Sequence, residues 1–286
     1  MKLQNLNALI TGGSQGLGKV IAENFVREGA NVVLCARHAP ELAATAAELA
    51  GKYPGRKILT QTCDVADEAQ VKALAEFALR ELGSVQALVL NAGVLGPVGA
   101  IEAVSLAEWR RAVDINLFGV LLPCRALLPQ FKRAGAGKII ILSGGGATSP
   151  MPNLSAYAAS KAAVVRFMET LALELKEFNV DVNAIAPGAM ATRMMDEVIA
   201  AGPDKAGKAY FEKNKNWKEK GATPPELGAG LAVYLASAES NGITGRLISA
   251  QWDVWKNLHT HRAELAGSDI YCLRRIIPED RGKKFE

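Results

Sequence analysis

Short apolar runs alternate with longer amphipathic stretches along most of the chain. Asn7–Thr11, Asn31–Ala36, Lys57–Thr62, Gln86–Leu90, Lys138–Leu142, Val180–Ala186 and Gly245–Ser249 are too short for helices and mostly carry Val, Ile, Leu and Ala at successive positions. Such runs fit parallel strands buried on both faces. Between them, apolar positions spaced by three and four predict helices from the glycine-rich turn after Thr11 to near Gly29, and from about Asp67 to Leu82. Further helices are predicted from about Ser105 to Arg133, Ser155 to Leu175 and about Pro225 to Ser237. The alternation predicts an α/β fold, a doubly wound parallel sheet of about seven strands with helices on both faces and ligands at the strand C-terminal ends.

Three places depart from this rhythm. Pro123 lies inside the longest predicted helix, where it removes a donor and leaves the Gly119 carbonyl without its usual partner. A kink there would either shape the site around Asn116 or carry no functional meaning. Residues 193–223 form a helical, lysine-rich stretch in which acids nearly balance the lysines, which reads as a solvated face. Past Ser249 the alternation stops.

Composition narrows the class. The 286 residues are 49% hydrophobic and 22% charged, with a net charge of +4 that is dispersed along the chain. Neither a nucleic-acid stripe nor a membrane anchor is indicated, and no uninterrupted apolar run reaches the roughly 18 residues a span requires. Small molecules are the expected partners and the cytoplasm the expected location. Cys35, Cys63, Cys124 and Cys272 are scattered, suggesting buried thiols rather than disulfides or zinc. His259-Thr-His261 lacks nearby Cys or carboxylate partners, so no metal site is predicted.

Candidate chemistry gathers at the strand ends. Gly12-Gly-Ser14-Gln15-Gly16-Leu17-Gly18 follows the first strand and opens a helix. Glycines permit a sharp turn and close approach of a ligand, and the helix N-terminus offers free N–H groups to a pyrophosphate. The second strand ends in Ala36-Arg37-His38, with no acid to hold a ribose 2′-hydroxyl; a guanidinium there favours the phosphorylated cofactor, NADP(H), with NAD(H) as the alternative. Tyr157 and Lys161 lie one turn apart on one helix face. A cation about 4 Å from a phenol supplies about 4 kcal/mol at an effective dielectric near 20, enough to lower its pKa by about three units.

Together these residues resemble the short-chain dehydrogenase/reductase family, in its compact Rossmann-like branch, over about residues 5–250. Thr11-Gly12-x-x-x-Gly16-x-Gly18 resembles that family's cofactor turn, Tyr157-x-x-x-Lys161 its acid/base pair, and Asn91-Ala92-Gly93 its central-strand signature. The resemblance implies that Asp64 and Val65 contact the adenine, and that Pro187, Gly188, Met190 and Thr192 belong to the loop holding the nicotinamide carboxamide and pyrophosphate. It further implies that Lys161 holds the nicotinamide ribose and that Asn116 holds a water linking Lys161 to solvent. An oxidoreductase acting on a carbonyl or secondary alcohol follows, with a homodimer or homotetramer expected. A cofactor-binding regulator without turnover is the alternative.

The family usually places a Ser thirteen residues before the Tyr, where this chain has Gly144. Ser143 is the expected donor to the substrate oxygen if the glycine run absorbs a one-residue insertion, with Thr148 or Ser149 as substitutes. Residues 1–250 are expected to form one nucleotide-binding and catalytic domain. Within it 193–223 would cover the substrate, and Met190, Met194 and Met195 would line either an adaptable pocket or the core. Residues 251–286 form an extension whose Trp252 and Trp255 suit either a substrate mouth or a subunit interface; Arg274, Arg275 and Arg281 suit a partner subunit or an acidic substrate.

Overall fold

The computed structural model describes residues 1–284. Each predicted run forms a strand: β1 Asn7–Thr11, β2 Asn31–Ala36, β3 Ile58–Thr62, β4 Ala87–Leu90, β5 Gly137–Leu142, β6 Val180–Ala186 and β7 Arg246–Ser249. The helices are α1 Gly16–Arg27, α2 Ala39–Lys52, α3 Glu68–Leu82, α4 Leu106–Val113, α5 Gly119–Ala134, α6 Ser155–Glu174, α7 Arg193–Ala206, α8 Lys208–Lys220, α9 Pro225–Ala236 and α10 Arg262–Ala266. The strands form one parallel seven-stranded sheet in the order β3-β2-β1-β4-β5-β6-β7. The direction of winding reverses between β1 and β4, opening a crevice at their C-terminal ends.

Successive strand residues feed two separate cores, which is why the runs are apolar throughout. Ile10, Leu34, Val89 and Ile140 join Phe25 and Tyr234 under α1 and α9. Leu9, Val33, Leu88 and Ile141 join Leu74, Phe131 and Met168 under α3, α5 and α6. Each fully buried side chain of this size contributes roughly 1.5–3 kcal/mol. Helix α2 adds to the expected set. Its buried stripe is only Leu42, Thr45 and Leu49 in an alanine-rich sequence, so little apolar periodicity marks it.

The longest predicted helix is broken, but not by Pro123. A π-helical turn, Asp114–Phe118, separates α4 from α5, and the Gly119 amide closes it on the Asp114 carbonyl, five residues back. Pro123 continues inside α5. By length and hydropathy the run Leu106–Ala134 would suffice to cross a bilayer; here Val120, Leu127 and Phe131 pack against the sheet.

Residues after Ser249 fold back on the β7 edge. The Leu247 amide donates to the Tyr271 carbonyl (2.8 Å). Arg246 is buried beneath this segment, its guanidinium donating to the carbonyls of Leu265, Ser268 (2.9 Å) and Ile270 (2.7 Å). From α6, Glu169 accepts from the Leu273 amide (2.6 Å). Trp255 packs on Tyr234 with ring centroids 5.9 Å apart, whereas Trp252 stands exposed. Arg274 is held by Asp269 and Asp280, and His261 by Glu264 at 2.8 Å.

Candidate active site

The strand C-terminal ends border a cavity of about 1360 Å³. Single small-molecule sites span about 300–1,000 Å³, so this one has room for two ligands. Its first half is built from β1, β2, β3 and β4. Gly12 and Gly16 take left-handed φ values of +66° and +55°. A β-carbon added at Gly18 would stand 2.1 Å from the Gly12 carbonyl oxygen, whereas one at Gly16 would meet nothing within 4 Å, because that residue opens onto the cavity. No side chain caps α1, so its first-turn amides remain available to a ligand. Asn91 fixes this turn from the next strand, its Nδ2 donating to the carbonyls of Thr11 and Gly12, both at 3.1 Å. Ser14, Gln15, Leu17, Ala92 and Gly93 complete this wall, with Arg37 and His38 at its far end.

Asp64 and Val65 also face the cavity. The Asp64 carboxylate is already engaged by Arg111 and by the Ala66 amide (3.0 Å). Pro187, Gly188, Met190 and Thr192 lie opposite, in a loop tied down where the Thr223 amide donates to the Ala189 carbonyl (2.7 Å). Met194 and Met195 line the cavity beside them.

The second half centres on Tyr157 and Lys161. Lys161 is buried, its Nζ donating to the Leu142 carbonyl (2.8 Å) and standing 5.8 Å from the centre of the Tyr157 ring. The expected depression of the phenol pKa is not what this geometry produces. Burial pushes Tyr157 up to about 12, with the Tyr210 phenol adding to the rise, and burial pushes Lys161 down to about 8. Desolvation outweighs the attraction between the pair, so Tyr157 is a protonated acid at neutral pH.

Asn116 lies behind this pair, fully buried. Its Oδ1 accepts from the Val94 amide (2.8 Å), and its Nδ2 donates to the Val94 carbonyl (2.9 Å) and to Ser160 Oγ (3.0 Å). Both Nδ2 hydrogens and one Oδ1 lone pair are thus engaged in holding the end of β4 against α6. Gly93 lets the two meet, since a β-carbon there would stand 3.2 Å from Asn116 Oδ1 and 3.6 Å from Lys161 Nζ.

Residues 6–202 match the model of the short chain dehydrogenase family. The chain belongs to that family. It is 31% identical to dehydrogenase/reductase SDR family member 4 of Sus scrofa, over 86% of each chain. It is 36% identical to 3beta-hydroxysteroid dehydrogenase 1 of Eggerthella lenta, over 85% of this chain and 91% of that one. The crystal structure of levodione reductase superposes with a TM-score of 0.80 at 29% identity, covering 86% of this chain and 96% of that chain. A short-chain dehydrogenase/reductase is an enzyme that uses NAD(P) on alcohol or carbonyl groups, and the two-ligand cavity accords with that.

Within this short-chain dehydrogenase the expectation for Ser143 needs correction. Ile139 and Ile141 of β5 face α6, and Ser143 continues the same alternation. Its amide pairs with the Ile185 carbonyl (2.8 Å) and its Oγ donates to the Lys161 carbonyl (3.3 Å). Gly144 is the residue that meets the acid: a β-carbon added there would stand 2.4 Å from Tyr157 Oη. No insertion shifts the register, and Ser143 borders the cavity without serving the phenol. Thr148 is exposed and lies off the cavity wall, whereas Ser149, also exposed, borders the cavity. Of the residues predicted for the site, only Gly18 and Asn116 do not line the cavity; both act from behind it.

Sequence reasoning missed other wall residues. Leu95 and Tyr210 lie beside Tyr157, and Asn214 and Trp217 follow Tyr210 along α8. Gln251, hydrogen-bonded to Thr223 Oγ1 (2.8 Å), reaches the mouth beside exposed Trp252, for which a substrate mouth is one of the two expected places. Only helical spacing within the lysine-rich stretch signalled Tyr210, Asn214 and Trp217 as one face.

Proposed function

We propose that the chain is an NADP(H)-dependent oxidoreductase that moves a hydride between the nicotinamide and a carbonyl or secondary alcohol, with Tyr157 as its acid/base. One observation carries this reading: the hydroxyl-bearing end of Tyr157 and the glycine turn before α1 face the same cavity, with Lys161 buried between the sheet and the phenol. The residues fit a dinucleotide. Gly16 leaves open space over the uncapped amides of α1, and Gly188, at φ +92°, lets the opposite loop pack against Thr223 and Gln251, which an added β-carbon would meet at 2.6 and 2.9 Å. Arg37 and His38 are exposed at the end of β2, where a 2′-phosphate would gain a bidentate partner.

When bound, the nicotinamide supplies or accepts the hydride. Tyr157 donates the proton to the substrate oxygen in reduction and receives it back in oxidation. At neutral pH the phenol carries that proton, burial holding its pKa above the ordinary value. Lys161, held by the Leu142 carbonyl, keeps a cation behind the phenol without drawing its proton away. Asn116 and Ser160 fix the β4 end that faces the cofactor. Helices α7 and α8 form the outer wall, and we assign residues 193–223 as the cover over the substrate. Relatives named as a levodione reductase and a hydroxysteroid dehydrogenase support the carbonyl and alcohol class.

Tyr157→Phe should reduce turnover of any accepted ketone by about a thousandfold or more while NADPH affinity stays within about twofold. Undiminished turnover would end this mechanism. Arg37→Ala should weaken NADPH by about tenfold and leave NADH unchanged, as read by fluorescence titration. Tighter binding of NADH than NADPH by the native chain would refute the cofactor preference.

A further inference from the structure

A carbonyl oxygen that receives a hydride at its carbon gains negative charge, and a second donor beside the acid stabilises it. The end of β5 does not supply one here, since Gly144, Gly145 and Gly146 follow Ser143 and the Ser143 hydroxyl is turned to the Lys161 carbonyl. The hydroxyl of Tyr157 itself meets no hydrogen-bonding partner among the described residues. Asn153, also on this wall, turns its amide towards Gly207, where an added β-carbon would stand 3.1 Å from its Nδ2. The missing donor must come from another element.

We propose that Tyr210, carried by α8 into the wall that also holds Tyr157, is the second hydrogen-bond donor to the substrate oxygen. Four observations converge on it. Tyr210, Asn214 and Trp217 share the face of α8 that lines the cavity, while Glu212 and Lys215 between them are exposed. Tyr157 and Tyr210 pack on one apolar cluster, Leu95, Leu154, Val198 and Ala206, which brings the two rings to the same wall. The Tyr210 phenol is close enough to raise the pKa of Tyr157. Asn214 is buried on a helix otherwise rich in Lys and Glu, and its Nδ2 donates to the Tyr210 carbonyl (2.8 Å), pinning the turn that carries Tyr210 to the cavity wall. The site thus presents two phenols to one oxygen, with Tyr157 transferring the proton and Tyr210 holding the charge.

The space above Gly145, where an added β-carbon would meet nothing within 4 Å, then belongs to the substrate. With no side chain on β5 beside the reacting oxygen, a substituent next to the carbonyl carbon has room against the glycine run. Leu95, Met151, Met194 and Val198 give that space apolar walls. The class that fits is a ketone with a bulky apolar substituent adjacent to the carbonyl.

This proposal rests on the assignment of Tyr157 as the acid, and the experiment separates the two. Tyr157→Phe and Tyr210→Phe are compared with the native chain on aryl ketones with NADPH, and for binding of benzamide to the NADPH complex by calorimetry. Benzamide carries a carbonyl oxygen that is not reduced. Tyr210→Phe keeps the ring and its packing, so only the hydroxyl is tested. It should lower kcat by about ten- to a hundredfold, with residual turnover well above that of Tyr157→Phe. It should also weaken benzamide by about three- to tenfold, as Tyr157→Phe does. Native kcat in Tyr210→Phe, beside an inactive Tyr157→Phe, would overturn this proposal alone. A fall in kcat with unchanged benzamide affinity would assign Tyr210 a packing role and overturn it too. Full turnover by Tyr157→Phe would instead remove the underlying mechanism.

Discussion

At Gly18 and at Gly144 an added β-carbon would meet a neighbour at nearly the same distance, 2.1 and 2.4 Å, yet the neighbours differ in kind. At Gly18 the obstacle is the Gly12 carbonyl, part of a turn whose backbone Asn91 holds from the adjoining strand. At Gly144 it is the tip of the Tyr157 side chain. The cofactor half of the cavity is therefore shaped by main chain that the Asn91 side chain clamps, with its Nδ2 2.4 Å from a β-carbon added at Gly18, and a change there deforms the turn itself. In the substrate half, side chains from α6 and α8 meet over a bare strand end. A change there displaces reacting groups and leaves the frame intact.

The largest effect that would test this contrast is Gly18→Ala. It should lower stability by on the order of 3 kcal/mol and NADPH affinity by about a hundredfold, read by denaturant midpoint and fluorescence titration. Native-like binding would show that the turn yields, and would dissolve the distinction. Gly144→Ala comes next, with kcat reduced by about ten- to a hundredfold because the phenol is pushed aside, and NADPH affinity within about twofold. Gly144→Ser should also lose activity, since its β-carbon occupies the same space. A gain would mean that the strand end, and not α8, is the natural seat of the second donor.

The smallest effect is thermodynamic and concerns the buried cation. Lys161 titrates near 8 in the folded chain against about 10.5 when unfolded. Below pH 8 both states are protonated and the folded state carries the full desolvation penalty. From pH 8 to about 10.5 the unfolded chain binds more protons, so stability rises with pH. Urea midpoints should give a gain of about 1 kcal/mol between pH 7 and 9 that is absent in Lys161→Met. Tyr157, raised to about 12, acts in the opposite direction only above pH 10, outside that window. An equal gain in Lys161→Met would show that the lysine is solvated in the native protein.

The sheet and the cofactor turn were legible because their causes are local. Runs such as Lys138–Leu142 feed two cores, and the glycines follow a strand and open a helix. The π-helical turn at Asn116 was not, because it depends on where α4 and α5 each meet the sheet, and Pro123 misdirected attention downstream. Ser143 was misread for a similar reason: a glycine run looks able to absorb a residue, but pairing of Ser143 with Ile185 fixes the phase of the strand to its end. Helix α2 escaped notice because alanine carries helix propensity without an apolar stripe. Tyr210 lies in a stretch whose lysines suggest a solvated face, and only the break at Gly207, which separates α7 from α8, turns it inward.

The buried Arg246 has a further consequence, in the order of assembly. Its guanidinium finds its partners in the carbonyls of Leu265, Ser268 and Ile270, all made after β7 itself. As the chain emerges in sequence, β7 can meet β6 early, but its arginine stays better served by water until that later segment arrives. The last strand therefore locks into the sheet only when the segment that crosses it does, so the mouth residues Gln251 and Trp252 are among the last parts of the cavity to take shape.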